Sequence, residues 1–75
     1  MGANSHISPV VPTRLQPVVA LLRKKLHVKQ IARQLGLSVY TINTYAQQIY
    51  DFYGVKDRIE LMALWLEEAL GEQQN

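Results

Sequence analysis

The sequence predicts an all-α domain of four helices, and three observations carry that expectation. From residue 13 onward apolar residues recur at helical spacing, and no alternating run suits a strand. Helix stops and starts punctuate the pattern in pairs, Gly36 with Ser38 and Gly54 with Asp57. The 75 residues are 48% hydrophobic and 19% charged, which suits one small folded domain better than a disordered tail.

The elements follow in order. Residues 1–12, with Pro9 and Pro12, show no helical period and are expected to be a flexible arm. The domain proper spans 13–71. Its first helix starts near Thr13 to Pro17 and ends near Lys24 or Lys25. Thr13 with Gln16 resembles a capping box, while Pro17 would fit best as a first helical residue behind a Gln16 cap. Val18, Val19, Leu21, Leu22 and Leu26 give this helix a buried side. The second helix, Val28 to Leu35, carries Ile31, Ala32 and Leu35 on one stripe and Lys29, Gln30 and Arg33 outward. Gly36 then supplies a left-handed stop, Leu37 returns to the core and Ser38 caps the third helix. That three-residue "GLS" turn is the connection expected of a helix-turn-helix. The third helix, Val39 to Tyr53, buries Ile42, Ala46, Ile49 and Tyr53, broadened by Tyr45 and Phe52. Gly54 ends it, Val55 packs inward, and Asp57 with Glu60 forms a capping box for a fourth helix from Arg58 to Leu70. Gly71 should stop that helix, leaving residues 72–75 as a frayed tail.

Charge is distributed unevenly. Residues 1–50 hold six basic and no acidic side chains, whereas residues 51–75 hold two basic and six acidic ones. A chain polarised in this way suggests that one end faces a polyanion. The helix "SVYTINTYAQQIY", Ser38 to Tyr50, carries no formal charge at all. Its outward stripe is Tyr40, Asn43, Thr44, Gln47 and Asp51. Base edges in the major groove are read by side chains that both donate and accept; Asn and Gln pair bidentately with adenine, and Thr can bond or meet the thymine methyl. Asn43, Thr44 and Gln47 are therefore the expected base-contacting residues. Lys29, Arg33, Lys56 and Arg58 flank the helix and can reach phosphates, which fixes register without reading sequence.

The stretch "VKQIARQLGLSVYTINTYAQQIYDFYGVKDRIELMALWL" resembles the LuxR/GerE-type helix-turn-helix domain. The shared features are an Ile-Ala pair in the second helix, a Leu-Gly-Leu-Ser turn, Thr-Ile in the third helix, and Gly-Val before a last helix of Leu and Ala. The resemblance spans about residues 11 to 70 and rests on the ordered combination of motifs. It implies a third helix in the major groove, with base positions at Asn43, Thr44 and Gln47 and backbone positions at Lys29, Thr41, Lys56 and Arg58. It also implies a transcriptional regulator that dimerises through the last helix. Several positions depart from the family pattern: Leu15 replaces an acidic residue, Pro17 is unusual, Lys25 stands where glycine is common, Tyr45 where histidine is usual, and Asn43 and Gln47 where lysine is frequent. A left-handed lysine costs roughly 1 kcal/mol, so the turn at Lys25 is expected to be built differently.

Other functions find little support. No cysteine is present, and His6 and His27 have no metal-ligand spacing, so no metal or other cofactor is expected. No Ser/His/Asp set, glycine-rich phosphate loop or carboxylate pair suggests an enzyme. No apolar run approaches the roughly 18–20 residues that span a bilayer, so a cytoplasmic protein without membrane contact is expected. No receiver or ligand-binding module precedes the motif, and a free-standing DNA-binding domain with no small-molecule ligand is the expectation. The partners expected are double-stranded DNA and a second copy of the chain. The competing reading is an anti-activator or polymerase contact, with RNA polymerase or a larger LuxR-type regulator as its partner. For the dimer, Ile59, Met62, Trp65, Leu66, Ala69 and Leu70 are expected to seal the core. Leu61 and Leu64, outside that arc and beside Trp65 and Glu68, are expected to form the dimer interface.

Overall fold

A computed structural model describes residues 10–73. Its four helices are α1 (Gln16–Arg23), α2 (Val28–Leu35), α3 (Val39–Tyr53) and α4 (Arg58–Gln73), preceded by a 3-10 turn over Thr13–Leu15. No strand occurs among the described residues. The α2–α3 pair forms the helix-turn-helix, α1 packs across both, and α4 rests on α3. Of the arm expected over 1–12, residues 1–9 and His6 with them lie outside the described residues. Val11 is already packed against the core, so the ordered domain begins earlier than residue 13.

The core is wholly apolar. Leu15, Val18 and Leu22 from the first segment meet Ile31 of α2, Ile42 and Ile49 of α3, and Leu61 of α4, all at most 2% exposed. Burying a side chain of this size stabilises by about 1.5–3 kcal/mol. Leu15 explains one departure from the family pattern, because an acid at that position gives way here to a core contact. Pro17 is equally well placed. It stands in the first turn of α1, where its missing N–H leaves no helical bond unmade. The anticipated Thr13 cap is absent; Gln16 instead donates from Nε2 to the carbonyl of Val11 at 2.9 Å.

The helix ends share one device. Lys25 has φ 66°, Gly36 φ 69° and Gly54 φ 72°. After α1, the Lys25 N–H donates to Leu22 O at 2.8 Å and the Leu26 N–H to Leu21 O at 3.3 Å. These are the two bonds of a Schellman stop. The expectation that Lys25 forces another kind of turn is thus overturned. Two carbonyl acceptors are satisfied and Leu21 and Leu26 are both packed against the core, which outweighs the strain of one left-handed lysine.

The starts of the helices are also specified locally. The Ser38 Oγ accepts from the Thr41 N–H at 3.0 Å. His27 occupies the corresponding place before α2, where its N–H donates to Gln30 Oε1 at 3.0 Å. Asp57 Oδ1 accepts from the Glu60 N–H at 2.9 Å, but Glu60 reaches past it to the Lys56 N–H at 2.8 Å. The capping box at α4 is therefore displaced by one residue.

Three further expectations require correction. Helix α4 continues through Gly71 to Gln73. Leu37 does not return to the core and remains 39% exposed. Most consequentially, α4 is rotated relative to the anticipated wheel. Leu61 is fully buried and Trp65 is buried, whereas Ile59 is 80%, Leu66 60% and Leu70 49% exposed. The reason is that apolar residues encircle this helix, so their spacing does not define a phase; Tyr53 and Arg23 do. The Tyr53 ring meets Trp65 edge-on at 5.6 Å. The Arg23 guanidinium lies 4.1 Å from the centroid of the Trp65 ring. Trp65 Nε1 finds no hydrogen-bond partner among the described residues, a cost of about 1–3 kcal/mol that this stacking and the buried ring area offset.

Replacing Lys25 with glycine removes the strain while keeping both turn bonds. The variant should unfold about 1 kcal/mol later, raising the melting midpoint by roughly 4–8 °C. Lys25→Ala, which loses the same charge but keeps Cβ, should show no such gain in a thermal melt.

Candidate nucleic-acid interface

The helix-turn-helix sets α3 by its inner side. Ile42, Ala46 and Ile49 are buried between α1 and α2, and Tyr50 joins them. With about 100° per residue, the opposite face is then determined. Tyr40, Asn43, Thr44, Gln47 and Asp51 all stand exposed there, Tyr40 at 80%. Every charge on the first three turns of this face is absent. A carboxylate there would repel phosphate, and a lysine would bind any sequence; Asn, Thr and Gln discriminate by pattern of donors and acceptors.

The flanking groups differ in their freedom. Lys29 and Arg33 are exposed on α2, and Lys56 is exposed in the turn before α4. Arg58 is half-buried, beside Tyr50 and Asp57. Thr41 is also half-buried, and its hydroxyl accepts from Ser38 Oγ at 3.0 Å. Its first task is therefore to tie the cap of α3. No sequence motif assigns a role to Arg14. Its Nη2 donates to Gln48 Oε1 of α3 at 2.8 Å, across 34 residues of chain. No local pattern announces such a pair; only the packing of α1 on α3 creates it.

Of the residues expected at a dimer interface, Leu61 and Trp65 belong to the core. Leu64 is half-buried and Glu68 exposed. Besides Ala69, the apolar side chains that α4 leaves exposed are Ile59, Ala63, Leu66 and Leu70, spaced 4, 3 and 4 residues apart along one stripe opposite Leu61. The sequence signal for this stripe was present in that spacing, but it could not be told from a core stripe until Leu61 was seen buried.

Among the described residues no group of His, Cys, Asp and Glu could hold a metal ion. No described helix is long and apolar enough to cross a membrane.

An α1-braced helix pair with a tight left-handed turn, and a second helix presenting an uncharged amide-rich face, defines a helix-turn-helix DNA-binding domain. The model of the GerE family, bacterial regulatory proteins of the LuxR family, matches residues 14–65. The chain belongs to this family of DNA-binding transcription regulators. Searches of curated proteins and of solved structures returned no match.

Tyr50 offers a check on the packing beneath the interface. Burial raises its phenol above the ordinary 10.0; Arg58 pulls it back and Asp57 pushes it further up. A folded pKa above the unfolded one means that the contribution of Tyr50 is whole below pH 10.0 and is lost as pH rises from there through the folded value. The unfolding free energy should therefore fall above pH 10 more steeply in wild type than in Tyr50→Phe, as measured by urea titration at successive pH values.

Proposed function

We propose that this domain is a sequence-specific binder of double-stranded DNA and regulates transcription as a homodimer, with α3 in the major groove. The observation that carries this reading is the face formed by Asn43, Thr44 and Gln47. All three are exposed and lie within the first three turns of a Ser38-capped helix, turns that carry no charged side chain. In that orientation the three side chains read base edges, and Tyr40 packs against the groove wall. Lys29, Arg33 and Lys56 contact phosphates on either side, Arg58 contributes from its half-buried position, and Thr41 does so through its backbone-proximal hydroxyl.

Alanine at each of Asn43, Thr44 and Gln47 should cost roughly 1–3 kcal/mol of binding where a bidentate base contact is lost, and should relax preference at one base position. Selection from a random duplex library, with wild type and triple alanine variant in parallel, measures both. Unchanged affinity and an unchanged selected sequence in the triple variant would show that α3 is not the reader.

The homodimer reading rests on the exposed stripe of α4. Ile59, Ala63, Leu66 and Leu70 have the 4-3-4 spacing of a helix–helix seam, and a monomer leaves all four in water. Pairing around a two-fold axis would hold two α3 helices about 34 Å apart and call for an inverted-repeat site. Sedimentation of Leu66→Glu/Leu70→Glu should show a monomer that folds normally and binds its DNA more weakly. Leu61→Glu should instead unfold the domain, because it places a carboxylate in the core. A wild type that remains monomeric on DNA would remove the dimer from the proposal.

A further inference from the structure

We propose that Arg14 is an additional phosphate-contacting residue of the DNA interface and that Gln48 positions it. The inference rests on the reading of α3 given above and extends it to the opposite wall of the groove. Gln48 and Tyr50 bound an arc of about 160° on the outer side of α3, and Asn43, Thr44 and Gln47 lie within it. Arg58, half-buried at the start of α4, acts by its charge on Tyr50. On the Gln48 edge stands Arg14, joined to it by the 2.8 Å bond. The Gln48 border of the outer face of α3 thus has a guanidinium fixed by a hydrogen bond, while the charge of Arg58 acts on Tyr50 toward the other border.

A helix in the major groove has a sugar–phosphate strand on each side, so this is the arrangement that holds both strands. The bond to Gln48 occupies one guanidinium N–H, and a guanidinium has five donors in a planar fork. The remaining N–H groups can take a phosphate while Gln48 holds the plane. Arg14 also shares a shallow groove with Asp51, the carboxylate on this side of α3. The cation there offsets a negative charge that would otherwise face the DNA strand. A purely structural role explains less. Leu15, next in sequence and 2% exposed, already anchors this turn to the core, and an exposed side-chain hydrogen bond adds little to that.

The test compares binding of wild type, Arg14→Gln, Arg14→Lys and Gln48→Ala to two duplexes, one selected by wild type from a random library and one scrambled, over a range of salt. Arg14→Gln should weaken both duplexes roughly 3–10-fold near 0.1 M salt and lower the slope of log K against log salt by about one unit. Arg14→Lys should keep the slope. Gln48→Ala should keep the slope too, with a smaller loss of affinity, since the charge remains but is no longer held. Thermal melts of the variants control for folding. If Arg14→Gln leaves affinity and slope unchanged, or weakens the selected duplex alone, the phosphate assignment is overturned. Because a phosphate contact acts on any duplex, the scrambled arm decides this even if selection yields no preferred sequence, an outcome that would count against base reading by α3 and not against Arg14.

Discussion

The outer face of α3 is held in place by its inner one. Ile42, Ala46 and Ile49 are each at most 4% exposed, and they fill a wedge closed by Val18 and Leu22 of α1 and Ile31 of α2. Interiors at close-packed density do not let a helix turn about its axis without opening voids. The rotation of α3 is therefore set by apolar packing, and that rotation decides which polar side chains meet the solvent. Asn43, Thr44 and Gln47 need no bonds of their own to be presented. They are aimed by what lies behind them.

Short connections make this possible, and they demand unusual backbone. The turns after α1, α2 and α3 all reverse through a residue with φ near 70°, which satisfies the last carbonyls of each helix and, after α1 and α3, returns Leu26 and Val55 to the core at once. Glycine does this without strain at two of the three. At the first, lysine does it under strain, a local cost that the satisfied carbonyls and the packing of Leu21 and Leu26 absorb. The start of α1 shows the reverse trade. Leu15 and Pro17 depart from the family pattern without disturbing the fold, because one adds to the core and the other stands where no hydrogen bond is required.

Helix α4 serves two sides. Leu61 and Trp65 fasten it to α3 and to Arg23, while Ile59, Ala63, Leu66 and Leu70 face away. From Leu66 to Gly71 every residue is exposed, so the distal half of the helix has no support from the rest of the domain. Three of its four acidic residues, Glu67, Glu68 and Glu72, lie on this half and Glu60 in the first turn, while the basic residues run from Arg14 to Arg33 with Lys56 and Arg58 at the start of α4.

Helix number, order and most boundaries were legible in the sequence, since caps, stops and a 3.6-residue period are local and act within a turn or two. The core stripes of α1, α2 and α3 were legible for the same reason, and with them the polar face of α3, because a helix with one clear apolar stripe has only one way to turn. Tertiary structure alone decided the rest. The phase of α4 was hidden because apolar residues surround that helix, and only contact with Tyr53 and Arg23 selected Leu61 and Trp65 as its buried side. The burial of Tyr50, the left-handed state of Lys25 and the bond from Arg14 to Gln48 were likewise beyond local pattern. Each depends on what two helices distant in sequence do when they meet, and side-chain periodicity carries no record of that meeting.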